Sequence, residues 1–198
     1  MLPGMNSQPT QNGSATLLPG TVTNLINFVL FYAGWFACIY GLALQMPWLG
    51  PLSAIGVVFV HLALRSFHRG EALAIAAITT IGPLIEGALV LLGVATFSQS
   101  FWLIAPSLMG LWAIFGTTLD GSLGWLAKRP LLAVIFGAVG APFSYLAADV
   151  IGAVELDAVA WKWIASVAVL WGVGFPALVK LATWIRTTTQ PAVEIVRS

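Results

Sequence analysis

Residues 72–96 form a nearly unbroken apolar run that contains one carboxylate, Glu86. A helix needs about 20 apolar residues to cross a bilayer, and this run supplies them. A carboxylate at that depth costs roughly 2.5–3.5 kcal/mol on insertion scales, so it faces protein or water rather than lipid. Thr79, Pro83 and Glu86 recur at i, i+4 and i+7, which puts them on one helix face. Pro83 frees the carbonyl near Thr79, and a polar stripe with a loosened backbone suits a cavity wall. The competing reading is a protonated Glu86 that serves as packing glue against a neighbouring helix.

The rest of the chain repeats this character. Hydrophobic residues make up 59% of it and charged residues 8%, whereas a soluble domain is about 25% charged. The expected class is all-α: a polytopic membrane protein, a bundle of six transmembrane helices. The net charge of +1 predicts no nucleic-acid partner. The lone Cys38 removes any disulfide pair or cysteine-based metal site; no metal or cofactor is expected. Residues 1–20 are polar and lack the basic and apolar regions of a secretory signal, so they read as a disordered tail. Residues 21–186 form the transmembrane domain, and residues 187–198 a short cytoplasmic tail.

The expected spans are about residues 24–44, 48–64, 72–96, 101–119, 131–153 and 158–185. Span one carries a small and polar seam, Asn24, Asn27, Phe31, Gly34, Cys38 and Gly41, suited to close helix contact. In span four Ser107, Gly110, Ile114, Thr117 and Gly121 share a face. In span five Ala133, Gly137, Ala141 and Ser144 do the same, with Pro142 interrupting the ladder. Gly172, Gly174 and Pro176 are expected to interrupt span six. Seven of the eight Lys and Arg residues fall on one side and only Lys162 on the other. The basic side marks the cytoplasm, and six spans then put both termini there. Trp48, Trp102, Trp161 and Trp163 fall at outer ends and Trp125 and Trp184 at inner ends, as an aromatic belt.

Depth sorts the candidate site residues. At about 1.5 Å rise per residue, Glu86 and Tyr145 each lie roughly 21 Å from the cytoplasmic ends of their helices. Ser144 shares that layer, Ser107 comes within a turn of it, and Asp149 lies one turn beyond Tyr145. Thr79 completes the stripe of span three. His61 lies only about 6 Å above Arg65, too low to pair directly with Glu86, and reads as a hydrogen-bonded interfacial residue. With no Lys or Arg at its level, Glu86 is expected to be uncharged, with Tyr145 and Ser144 as its first partners. There is no His-Glu-x-x-His helix, no Gly-x-Ser-x-Gly elbow with a usable His and no phosphate-binding glycine loop, so no catalytic residues are assigned. Asp120-Gly121 begins an alcohol phosphatidyltransferase motif whose later parts are missing, and it reads as a turn.

Several pieces together resemble domain-of-unknown-function family 2878, small bacterial inner-membrane proteins. They are Asn27-Phe28 with Gly34-Trp35, Trp48-Leu49-Gly50, His61, Leu111-Trp112 through Phe115, Thr118-Leu119, Ser122-Leu123, Trp125-Leu126, Gly140 and Pro142 with Ser144-Tyr145, and Ile151-Gly152-Ala153. The resemblance covers roughly residues 24–156. It implies a multi-pass protein of the bacterial inner membrane and brings no activity with it. The family pattern favours Asp where Glu86 stands, so an acid there looks shared.

The leading functional expectation is transport or handling of a small molecule or lipid, with Glu86 as a midplane carboxylate. The alternative is an intramembrane scaffold or assembly factor that docks a membrane-protein partner, or a second copy, through its small-residue seams. An integral-membrane enzyme acting on lipids ranks last. A cavity lined by Glu86 favours the first expectation; a filled core with an exposed seam favours the second.

Overall fold

Apolar periodicity, with turn chemistry at the ends, produces six α-helices. The computed structural model describes residues 19–97, 101–157 and 159–189. In chain order the helices are α1 (Gly20–Ala43), α2 (Leu49–Leu64), α3 (Arg69–Leu91), α4 (Phe101–Thr118), α5 (Pro130–Ile151) and α6 (Ala160–Thr189). A short 3-10 turn, Gly124–Lys128, precedes α5. Pro130 opens α5, where its missing N–H costs nothing. Gly152 closes that helix at φ +87°, a left-handed cap that other residues adopt only with strain. The positive φ of Ser66 and Phe67 turns the chain sharply between α2 and α3. The parts of the expected tails at residues 1–18 and 190–198 lie outside the described residues.

Four helices, α1, α3, α5 and α6, are long and apolar enough to cross a membrane; α2 and the described part of α4 are shorter. Three expectations need correction. Gly172, Gly174 and Pro176 do not interrupt α6, which is continuous, and α5 likewise runs on through Pro142, which breaks its ladder at one link only. A proline removes one link of the ladder, and packed neighbours hold the rest. As a result α6 runs unbroken to Thr189, past the start of the expected polar tail. The third span ends at Leu91, five residues early, because Gly93 turns the chain at φ +66°. Beyond it β1 (Ala95–Thr96) pairs antiparallel with β2 (Glu155–Leu156), matching Ala95 to Leu156 and Thr96 to Glu155.

The packing order follows from small residues. Helix α4 is the central post, touching α1, α2 and α3, while α3 also packs on α6 and α6 on α5. The seam of α1 is turned inward: a Cβ on Gly34 would lie 3.0 Å from Ile114 Cδ1 and 3.3 Å from Val57 Cγ2. Asn24, at the edge of that seam, is exposed. Gly110 of α4 faces Ala54 in the same way. The indole of Trp112 lies flat enough on Gly82 of α3 that a Cβ there would overlap the ring. Gly137 of α5 gives the backbone of Trp171 its approach. Helix α5 rests mainly on α6 and meets α1 only lightly, which leaves a gap between α1 and α5.

Trp48, Trp161, Trp125 and Trp184 are exposed near helix ends. Trp163 departs from the expected belt: it is buried with Leu89, Val94 and Val167.

The glycine contacts give a direct prediction. Gly82→Ala should destabilise the bundle by about 1–3 kcal/mol through overpacking against Trp112. Gly56, with nothing within 4 Å of its Cβ position, should accept Ala without loss. Thermal unfolding in detergent checks the pair, and equal melting points would rule out the Trp112–Gly82 contact.

Candidate functional site

The gap between α1 and α5 opens into a cavity of about 550 Å³. Aromatic rings supply most of its wall, among them Phe31 and Trp35 of α1, Trp112 and Phe115 of α4, and Trp171 and Phe175 of α6. Ser122 and Thr118 line one end, and Phe97 and Val154, beside the β1–β2 pair, line the other. Among the described residues Glu86 is the only carboxylate on the wall, and no Lys, Arg or His lines it.

Glu86 is 7% exposed. The Tyr145 hydroxyl donates to its Oε2 at 2.6 Å, so α3 and α5 meet across the cavity through one hydrogen bond. Trp112 and Trp171 stand beside this pair with ring centroids 5.3 Å apart and planes 11° from parallel. The Trp112 N–H is turned toward Glu86 and the Trp171 N–H toward Tyr145. Both stop short of hydrogen-bond geometry, and both Nε1 atoms are buried without a partner.

The other expected site residues divide. Ser144 and Ser107 line the cavity, and the Ser107 hydroxyl donates to the Pro47 carbonyl at 3.3 Å. Thr79 donates back to the Ile75 carbonyl at 2.8 Å, and neither it nor Pro83 reaches the cavity wall, so the expected polar stripe contributes Glu86 alone. Asp149 accepts from the Leu156 N–H at 3.2 Å, tying the end of α5 to β2. His61 lies in a separate network.

That network occupies the basic end of the bundle. The Ser122 N–H and hydroxyl donate to Asn27 Oδ1 at 2.9 and 2.8 Å. An oxygen held by a backbone N–H fixes the amide's orientation, so Asn27 Nδ2 is the donor. It reaches His61 Nδ1 at 3.1 Å and Thr117 Oγ1 at 3.0 Å. With Nδ1 accepting, His61 carries its proton on Nε2 and donates to Glu71 Oε1 at 2.5 Å. Arg65 Nε lies 3.7 Å from the same Glu71 oxygen. Arg65 and Arg186 then grip Asp120 from two sides, at 3.0 and 3.2 Å. Asp120, which the sequence reads as a turn residue, thus ties the end of α4 to α2 and α6. Sequence reasoning missed Glu71; the signal was its position one tight turn after the helix that carries His61.

The sequence pattern of a family described as a protein of unknown function (DUF2878) matches residues 24–177. The chain belongs to the DUF2878 family. No curated protein and no solved structure matches the chain. The DUF2878 match spans both polar layers. It takes in Glu86, Tyr145, Trp112 and Trp171 at the cavity, and Asn27, His61, Glu71 and Asp120 at the basic end; Arg186 lies beyond it.

The two layers differ in how much stability rests on them. Asn27→Leu strips partners from His61, Thr117 and Ser122 together and should cost about 1–3 kcal/mol. Tyr145→Phe removes one donor from Glu86 and should cost about 0.6 kcal/mol, the average for a hydrogen bond inside a membrane protein. Unfolding in lipid nanodiscs would test the ranking; a Tyr145 variant weaker than the Asn27 variant would reverse it.

Proposed function

We propose that this DUF2878 protein crosses the bacterial inner membrane six times, with both termini in the cytoplasm, and handles one lipophilic small molecule in its aromatic cavity. The observation that carries the reading is the cavity itself. Its volume of about 550 Å³ lies within the range of about 300–1,000 Å³ typical of pockets for one small ligand. Its wall is mostly apolar; Glu86, held by Tyr145, is the ionisable anchor, and the hydroxyls of Ser107, Thr118, Ser122 and Ser144 are the other polar groups among the described lining residues. Transport is the action this supports best, because a protonatable group at mid-depth can couple binding to a change of charge.

The topology rests on alternation and charge. Asn27 near the start of α1, Arg65 after α2, Glu71 at the start of α3, Asp120 after α4 and Arg186 near the end of α6 all meet at one end. The β1–β2 pair joins the links after α3 and α5 at the other. Successive helices therefore alternate in direction, and the Arg-rich end is read as cytoplasmic. The sixteen residues of α2 span only about 24 Å, so that span relies on its flanking residues to reach both interfaces. Lipid bilayer is the surrounding partner. The seam of α1, which the scaffold reading takes as its interface, is covered around Gly34 by α2 and α4.

Reporter fusions after Arg69, Arg129 and Arg186 should all report cytoplasm, and one external signal would overturn the topology. For the cavity, a Cβ on Gly140 would meet only the Phe136 ring, at 3.9 Å, so Gly140→Leu fills space without disturbing packing. Native mass spectrometry of protein extracted from membranes should show a bound lipophilic mass that Gly140→Leu loses at unchanged melting temperature. Binding that survives the substitution would remove the cavity from consideration. Glu86→Gln should fold normally and fail in growth complementation; full activity would leave Glu86 as packing only.

A further inference from the structure

A buried carboxyl group normally has partners for both oxygens. Glu86 is 7% exposed, and only its Oε2 is served, by the Tyr145 hydroxyl at 2.6 Å. Among the described residues no donor reaches Oε1. Nor is Oε1 one of the fully enclosed side-chain atoms that lack a partner. It therefore keeps an open face, and the space that Glu86 lines is the aromatic cavity. The indole nitrogens of Trp112 and Trp171 are enclosed and take no part in that space. Beside Oε1, the Tyr145 oxygen has given its proton to Glu86 and keeps lone pairs. Ser144, next in the chain, adds a hydroxyl to the same wall. The unmet hydrogen-bonding capacity here is for accepting.

We propose that the cavity binds a lipophilic amine in its ammonium form, which donates an N–H to Glu86 Oε1. The proposal rests on the cavity reading above and narrows it to a ligand class. Two features of the wall select a cation over a neutral donor. No Lys, Arg or His among the described residues lines the cavity, so the ammonium supplies the counter-charge that Glu86 lacks. A buried charge is tolerated when it is both paired and hydrogen-bonded. The wall is also built from rings, among them Phe31, Trp35, Phe115 and Trp171, and aromatic faces attract a desolvated cation. A neutral alcohol answers Oε1 but gains nothing from the rings, and an anion sets a second negative charge beside Glu86. An amine that arrives from lipid as the free base takes the Glu86 proton. One O–H bond breaks as one N–H bond forms, and the resulting ion pair is neutral overall. The amine has a route from the bilayer. Phe28, Tyr32 and Phe36 of α1 form one exposed rim of the gap, and Phe136 and Phe143 of α5 the other. A molecule dissolved in lipid enters between these rims without passing through water.

The test uses the full chain in lipid nanodiscs, with empty nanodiscs as the background for partitioning into lipid. Four probes with the same alkyl chain are compared at neutral pH: decylamine, decyltrimethylammonium, decanol and decanoate. Decylamine should bind about tenfold more tightly than decanol, because a hydrogen bond between charged groups exceeds one to a neutral donor. It should also bind more tightly than decyltrimethylammonium, which carries the charge but no N–H, and decanoate should bind most weakly. Glu86→Gln still accepts from Tyr145 but cannot carry the charge, and it should lose at least about tenfold in decylamine affinity. Gly140→Leu leaves every polar group in place and should lose decylamine binding at unchanged melting temperature. Decanol or decyltrimethylammonium binding as tightly as decylamine would overturn the amine assignment and leave the cavity reading standing; this comparison needs no variant. Decylamine affinity unchanged in Glu86→Gln would overturn it as well. If no probe binds, the amine assignment fails. The cavity reading then survives if Gly140→Leu still strips a bound lipophilic mass from the extracted protein, and falls with it if not.

Discussion

The contact of the Trp112 indole with Gly82 sets the geometry on which the other helices depend. It brings α4 against α3 at a distance that a larger residue would forbid. From that position Trp112 stacks on Trp171 of α6 and meets Phe115 edge-on at 5.6 Å. One ring thus orders three helices. Glu86 lies four residues after Gly82, on the same face of α3. The small residue that admits the indole therefore also sets its N–H beside the carboxyl group.

Polar groups in an apolar bundle have to find partners inside it, and this chain solves that need in two ways. At the basic end the demand is almost fully met: an amide, an imidazole, two carboxylates and two guanidinium groups form a continuous network over five helices. Breaking one partner of such a network leaves others exposed to the same penalty, which suits a structural closure. Deeper in, Glu86 and Tyr145 form a single bond beside two donors that lack partners. Among the described residues, two of the three buried side-chain nitrogens without a hydrogen-bond partner stand beside the cavity, and the third is Arg65 Nε at the basic end.

Much of the fold is legible in the sequence, because hydrophobic runs and turn residues locate helices with little help from tertiary contacts. The face of α4 marked by Ser107, Gly110, Ile114, Thr117 and Gly121 is the one that packs. Counting depth along helices brought Glu86 and Tyr145 to one level, and they touch. The same method held His61 apart from Glu86. What escaped depends on contacts between distant segments. Two-residue strands have no periodicity to detect. Pro176 signals a break only if neighbouring packing is ignored. Thr79 shares a helix face with Glu86, but the cavity boundary is set by α1 and α5, which that face alone does not reveal. The Trp112–Trp171 pair unites residues far apart in the chain, and composition assigns both rings simply to the core.

The connectivity of the cavity bears on how the protein is built. Helices α1 to α4 pack on one another, whereas α5 and α6 form a hairpin that rests on them mainly through α3. The aromatic chamber lies along this junction, with Glu86 on the first unit and Tyr145 on the second. The chamber thus exists only where the two units meet, and a chain cut short before α5 would leave Glu86 without its hydroxyl partner and Trp112 without its stacking ring.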